Sequence, residues 1–377
     1  MRVVFCIYNY VPEKMPLQPW LTVRIVAENL VKKGHTVHVV TDVEEPAYID
    51  GVKPHTVKSL RGSNAAEVST LMAILKPEAV VFLPTPLNIV TAKWLDSLDC
   101  RCIGFASYSF YTGREMLTAW LTIGLSELMP YLRHMLVPKV IWVRAMRRRL
   151  HVIIAQSVTT SSRLESMLGD RLPGLYVQPG IELEQWPLVN HSGSANDDFI
   201  RLLYLGSAIA IRGFYVALDA LAKVKDERVR LRVLARGAGD EDLADVRAAV
   251  TRRKLEHRVE IEGGWIERKQ LISEIHAADA VLQPFVLVPS ELPVTAMEVI
   301  ACGTPVIGSL IDGLPSTIGA AGTVTRQGSS AALAEAITNF SKSARLRTKW
   351  QDGCRQQREA MLGWDEVTDR WEAVLRG

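Results

Sequence analysis

Short runs of apolar residues, each closed by polar or turn-forming positions, recur along the chain. Val3-Val-Phe-Cys-Ile-Tyr is continuous and apolar, the pattern of a strand buried on both faces. A Pro-rich loop over residues 12–19 follows. Apolar positions at helical spacing (Val23, Val26, Ala27, Leu30) then predict a helix over 21–33, which Gly34 stops. Thr36-Val-His-Val-Val-Thr reads as the next strand. Strand, helix and strand in so short a span make a βαβ unit, hence a right-handed crossover and a parallel sheet. Ala79-Val-Val-Phe-Leu, Cys102-Ile-Gly-Phe-Ala, Val152-Ile-Ile-Ala-Gln and Leu175-Tyr-Val-Gln-Pro-Gly extend the series.

The pattern breaks at Asn190-His-Ser-Gly-Ser-Ala-Asn-Asp-Asp, which is polar, small and linker-like. A second series then begins: Ile200-Arg-Leu-Leu-Tyr-Leu-Gly, Arg230-Leu-Arg-Val-Leu-Ala, Val259-Glu-Ile-Glu-Gly, Ala280-Val-Leu-Gln-Pro and Pro305-Val-Ile-Gly. The chain therefore reads as α/β, with two doubly wound domains joined near residue 190. Ligands in such sheets sit beyond the carboxyl ends of the strands, here in the cleft between domains.

The 377 residues suit two domains. A net charge of +3 is too slight to imply nucleic acid as a partner. The five cysteines, Cys6, Cys100, Cys102, Cys302 and Cys354, lack zinc or redox spacing. Cys100 and Cys102, alternating around Arg101, read as ordinary buried thiols, which fits a reducing cytoplasm. Met1-Arg-Val-Val-Phe-Cys-Ile runs straight into a strand, so no secretory leader is expected, and no apolar stretch is long enough for a spanning helix.

The richest segment runs from residue 289 to 308: Pro-Ser-Glu-Leu-Pro-Val-Thr-Ala-Met-Glu-Val-Ile-Ala-Cys-Gly-Thr-Pro-Val-Ile-Gly. A loop opens a helix, with Ser290 able to cap its start and Gly303 and Pro305 ending it. The free N–H groups and positive dipole of a helix N-terminus suit a diphosphate. Glu298 stands among Val, Ile, Ala and Met, and a lone carboxylate there calls for a polar partner such as a ribose diol.

This segment resembles the donor site of GT-B glycosyltransferases of family 4, the retaining nucleotide-sugar enzymes (glycosyl transferases group 1). The resemblance implies two Rossmann-like domains: an acceptor-binding domain over 1–189, a linker at 190–198, a donor-binding domain over 199–360, and a terminal helix over 361–377 that returns to the first domain. It is strong over residues 150–377 and general over 1–149. In the family one glutamate touches the transferred sugar and a second, on the helix, holds the ribose. Glu298 matches the second. Ser290 stands in register with the first and Glu291 is one residue late, so two arrangements fit. Either a shortened loop brings Glu291 to the sugar, or the Ser290 hydroxyl replaces the carboxylate.

Leu203-Tyr-Leu-Gly-Ser-Ala-Ile-Ala-Ile-Arg-Gly is similar to the family's first donor strand and phosphate loop. Of the family's two cations, Ser207 replaces one and Arg212 supplies the other, between Gly206 and Gly213; arginine grips phosphate bidentately. Ala235-Arg-Gly-Ala-Gly-Asp resembles the following glycine turn, bringing Gly237 to the donor. Gly263-Gly-Trp-Ile-Glu resembles the base-binding loop, with Trp265 or Ile266 beside the base. Backbone of Leu292, Pro293, Val294 and Thr295 is expected to complete the phosphate site. No metal or cofactor is expected beyond the nucleotide sugar itself.

The acceptor half departs from the family. Met15-Pro-Leu-Gln-Pro-Trp replaces its glycine loop, leaving Gln18 and Trp20 to shape an acceptor pocket. Phe105-Ala-Ser-Tyr-Ser-Phe-Tyr lacks its histidine; Ser107, Tyr108, His134 or His151 are the remaining hydrogen-bonding candidates. From Leu128 through Leu164 there is no acidic residue. Instead Arg133, Lys139, Arg144, Arg147, Arg148 and Arg149 interleave with Leu132, Met135, Val137, Ile141, Trp142, Val143 and Met146. Such a stretch suits an anionic membrane surface, a solvated basic helix packed on its own domain, or a pocket for an anionic acceptor.

The resemblance thus implies transfer of a hexose-like unit from a nucleotide diphosphate sugar to a hydroxyl acceptor, small or lipid-linked, with retention. The implied location is the cytoplasm, with peripheral contact at the inner membrane face. The alternatives are a GT-B binding protein with impaired catalysis, or inverting or sugar-phosphate chemistry on the same fold.

Overall fold

The computed structural model describes residues 1–61, 65–132, 136–189, 199–288 and 290–377. The expected linker 190–198 lies outside the described residues, as do His134, its neighbours Arg133 and Met135, and Pro289. Strands β1 (Arg2–Cys6), β2 (Thr36–Thr41), β3 (Lys53–Thr56), β4 (Ala79–Phe82), β5 (Arg101–Ala106), β6 (Val152–Ala155) and β7 (Gly174–Tyr176) form one parallel sheet, ordered β3-β2-β1-β4-β5-β6-β7. Strands β8 (Ile200–Gly206), β9 (Val229–Arg236), β10 (Val259–Gly264), β11 (Ala280–Gln283), β12 (Val306–Ser309) and β13 (Gly322–Thr325) form a second, ordered β10-β9-β8-β11-β12-β13.

The apolar runs became the central strands because both faces of each sheet are covered by helices. Val3, Val4, Phe5, Val80, Val81 and Ile153 are fully shielded from solvent. Two strands escaped the sequence reading, β3 and β13. Each is an outer strand of its sheet, four residues long, and only partly apolar (Lys-Pro-His-Thr and Gly-Thr-Val-Thr). An edge strand needs no continuous apolar run, so period and hydrophobicity do not mark it.

Two elements cross between the halves. The last helix, Trp364–Arg376, buries Trp364, Val367, Trp371 and Leu375 in the core on one face of the first sheet. The Trp371 ring meets Phe105 edge-on at 5.0 Å, and Asn29 Nδ2 donates to Asp365 at 3.2 Å. In the other direction, the helices Gly113–Ile123 and Leu125–Leu132 follow β5. They nevertheless place Met116, Ala119 and Leu128 in the core of the second sheet. Among the described residues no helix is long and apolar enough to cross a membrane.

The terminal helix gives a direct stability test. Trp371→Ala removes a side chain 1% exposed and should cost roughly 3–5 kcal/mol in urea unfolding. Trp265→Ala, at an exposed position, should stay within about 0.5 kcal/mol.

Candidate active site

In both sheets the strand order reverses beside the first strand, between β1 and β4 and between β8 and β11. Chain leaving the carboxyl ends there cannot be covered by a crossover helix, which leaves a crevice. A cleft of about 530 Å³ occupies this place. One wall comes from the first sheet's loops: Gln18 and Trp20 after β1, Thr85 after β4, Ser107 and Tyr108 after β5. The other comes from the second: Leu205 in β8, Arg212 after it, Arg236 ending β9, Gln283 ending β11, and Ser290, Leu292, Pro293, Val294, Thr295 and Glu298.

The loop carrying Arg212 is built by one hydroxyl. Tyr204, buried in β8, donates to the carbonyl of Ser207 at 3.0 Å and lies 3.4 Å from that of Arg212, gathering both ends of the loop. The flanking glycines make room for protein rather than for ligand. Gly213 has φ +75°, and a Cβ there would strike the Pro284 carbonyl. At Gly206, φ +132°, a Cβ would lie 3.0 Å from Arg212 Nη1. The guanidinium sits 5.9 Å from the Phe285 ring centroid.

The following helix is Val294–Ala301, preceded by Pro293 in extended conformation with no side-chain cap. Ser290, expected as its cap, lies four residues upstream and instead faces the cleft. The amides of Val294 and Thr295 open the helix, where no intrahelical acceptor exists for them. Pro293 has no N–H to offer. Glu298 projects from the helix into the cleft. Burial pushes its carboxyl up to about 7, with Arg236 and Arg268 drawing it back down.

Glu291 is turned the other way. Its side chain is 0% exposed and accepts the backbone N–H of Gln156, at the foot of the helix Val158–Leu168 in the first half of the chain. Asp312 lies alongside: Oδ1 accepts from Ser157 Oγ at 3.2 Å and Thr160 Oγ1 at 3.0 Å. Burial, with Asp312 nearby, holds the Glu291 carboxyl well above the usual range. Burial also raises Asp312. The reading that brings Glu291 to the cleft is thereby corrected. Its carboxylate binds the partner half, and Ser290 lines the cleft.

Other expected residues divide similarly. Ile266 is 5% exposed and belongs to the second core, so it does not reach the cleft. Trp265 is 70% exposed, with the Arg236 guanidinium 4.5 Å from its ring centroid. Gly237, φ +76°, turns the chain after β9, its N–H on the Gly264 carbonyl at 3.1 Å. Ser207 and Gly206 shape the Arg212 loop and are not part of the cleft wall. His151 accepts the Cys102 N–H at 3.0 Å and lies away from the cleft. The one Asp-x-Asp run, Asp240-Glu-Asp, opens the helix Asp240–Thr251, where Asp242 accepts the Gly239 N–H at 3.1 Å.

Arg236 and Gln283 were not anticipated. Both sit inside motifs read for their glycines and apolar residues, at strand ends where side chains meet the crevice. Gln283 is 3% exposed, and among the described residues neither its Oε1 nor its Nε2 has a hydrogen-bond partner. Gln18 Nε2 is likewise unpartnered. Buried amides without partners on a cleft wall mark where a polar ligand would complete the bonding.

Two doubly wound parallel sheets facing each other across such a cleft define the GT-B fold. Residues 200–343 match the family model described as Glycosyl transferases group 1. Sucrose-phosphate synthase from Thermosynechococcus elongatus superposes with a TM-score of 0.77 at 16% identity, over 100% of this chain and 98% of that one. Anabaena Alr3699/HepE in complex with UDP superposes at 0.72 and 14% identity, over 100% of both chains. WaaG, a glycosyltransferase involved in lipopolysaccharide biosynthesis, does so at 0.67 and 18%, again over 100% of both. No curated protein matches the chain in sequence.

Glu298 makes the stability of the ligand-free protein pH-sensitive. With its pKa raised to about 7, the folded chain binds a proton that the unfolded chain has already lost above its ordinary value near 4.5. The resulting stabilisation is complete below that ordinary value and is lost as pH rises through about 7. Glu298→Gln stays neutral throughout. Its Tm without ligand should match the parent's near about pH 5 and exceed it by a few degrees near about pH 8.

Proposed function

We propose that the protein is a glycosyltransferase that moves a hexose-like unit from a nucleoside diphosphate sugar to a hydroxyl acceptor, with retention, as in family 4. The observation that carries this reading is the convergence on one cleft of Arg212, Arg236, the helix start at Val294 and Thr295, and the half-buried Glu298. In this assignment Glu298 accepts the ribose hydroxyls. Arg212 and the Val294 and Thr295 amides hold the diphosphate. Arg236, against Trp265, flanks the base, and Ser290 and Gln283 hydrogen-bond the sugar. Ser107 and Tyr108 on the opposite wall face the acceptor.

Transfer breaks the bond from the anomeric carbon to the diphosphate oxygen and forms one to the acceptor oxygen. The acceptor proton passes to the departing diphosphate, whose developing charge is stabilised by Arg212 and the helix N-terminus. Among the described residues lining the cleft, Glu298 is the sole acid and none is a histidine, which supports a role for the leaving group as the base. The inward turn of Glu291 and the serine at 207 favour a second reading, a GT-B binding protein that holds the donor without turnover.

Anabaena Alr3699/HepE is described in complex with UDP-glucose, so UDP-glucose is the first donor to try. It should raise the Tm. Arg212→Ala and Glu298→Ala should each weaken the interaction by roughly tenfold to a hundredfold. Slow release of UDP with retained anomeric configuration supports the transferase. Protection without any release supports the binding protein. No protection by any nucleotide sugar would refute both.

A further inference from the structure

Two more hollows continue from the donor cleft on the side of the first sheet. One, of about 920 Å³, is walled by Phe110, Tyr111, Met116, Val137 and Trp142, and shares Tyr108 with the cleft. The other, of about 660 Å³, is walled by Lys139, Arg144, Arg147, Arg148 and Arg171 beside Val140. It shares Lys139 and Met167 with the first. The three hollows therefore form a series: polar at the donor, apolar in the middle, cationic at the far end.

Exposed apolar side chains are concentrated in the stretch of chain that leads into the helix Lys139–Arg149. Of the twenty large apolar side chains exposed among the described residues, eight fall between positions 117 and 141. Val140, which lines the cationic hollow, is 78% exposed, and Leu136, four residues before it, is 81% exposed. The outer face of the helix Lys139–Arg149 carries Val140 and Ile141 at its start and Arg144, Arg147 and Arg148 further on. Arg148 pairs with Asp96 at 3.2 Å, and Arg147 is bound to the Leu168 and Met167 carbonyls. Among the described residues Lys139, Arg144 and Arg171 form no ion pair, and the chain from 128 to 164, which carries Lys139 and Arg144, has no acid. Exposed aliphatic side chains beside unpaired cations match a layer with anionic headgroups above acyl chains. The Phe110, Met116, Val137 and Trp142 wall offers apolar surface to a hydrocarbon chain, while Thr159, Ser162, Arg163 and Ser166 line the rest of the hollow.

We infer that this face rests on an anionic lipid bilayer and that the acceptor is a lipid. Its chain lies in the apolar hollow, its hydroxyl reaches the donor cleft past Tyr108, and Lys139, Arg144 and Arg171 sit at bilayer phosphates. The lipid acceptor rests on the glycosyl-transfer reading of the cleft; the bilayer contact does not.

The full chain is tested by co-sedimentation with vesicles of phosphatidylcholine alone and of equal parts phosphatidylcholine and phosphatidylglycerol. Sedimentation with the mixed vesicles only is expected, diminishing at high salt. The triple variant Lys139→Glu, Arg144→Glu, Arg171→Glu should weaken it by about tenfold or more. Sedimentation with neither vesicle, or equally with both, or unchanged in the triple variant, overturns the bilayer contact. The hollow is probed with lysophosphatidylglycerol bearing a brominated acyl chain. It should quench the fluorescence of the parent, much less that of Trp142→Phe, and less again when Ser162→Phe fills the hollow. Equal quenching in all three overturns the lipid chain's placement. UDP-glucose protection, measured on every variant, reports the fold and the donor site separately. Its loss in the parent would remove the donor reading while leaving the vesicle result intact.

Discussion

Two carboxyl groups from the second half of the chain close the N-terminus of a helix in the first. Glu291 takes the Gln156 amide, and Asp312 takes the Ser157 and Thr160 hydroxyls, at the N-terminus of the helix Val158–Leu168, which the Ser157 hydroxyl caps by accepting the Thr160 N–H. Both acids are nearly or wholly buried. Each keeps one oxygen with no partner among the described residues, so the arrangement is held at a desolvation cost that its hydrogen bonds and the helix dipole offset in part. The geometry of the candidate site follows. With Glu291 pinned toward the first half, Ser290 is left facing the cleft, and the backbone entering the helix Val294–Ala301 is fixed at the height of the donor wall.

The crossing elements serve the same end. The terminal helix is packed under the first sheet and the helices over 113–132 against the second, so each half carries a piece of the other's core. The exchanged elements and the Glu291 and Asp312 contacts together keep Tyr108 and Ser107 on the wall opposite Arg212 and Glu298.

Much of the fold was legible in the sequence because parallel strands buried on both faces must be short and apolar. Thr36–Thr41 and Ile200–Gly206 were read with the bounds the structure has, while the edge strands Lys53–Thr56 and Gly322–Thr325 left no such mark. In the site, Glu298 and Arg212 stood out because a charge among apolar residues or between glycines asks for a partner. The choice between Ser290 and Glu291 was not legible. A one-residue difference in a loop is settled by what lies across the interface, and Gln156 and Thr160 are far away in sequence. Arg236 and Gln283 were missed for a related reason: a polar residue closing a strand looks like ordinary strand termination until the topology shows a crevice there.

The central claim is that one nucleotide binds across Glu298, the helix start at Val294 and Arg212. A crystal structure of the protein soaked with UDP tests it most directly. The ribose hydroxyls should lie on the Glu298 carboxyl and the diphosphate on the Arg212 guanidinium and the Val294 and Thr295 amides. UDP bound elsewhere, such as the cationic hollow of Arg201, Arg230 and Arg232 at the opposite end of the second sheet, with the cleft left empty, would contradict it.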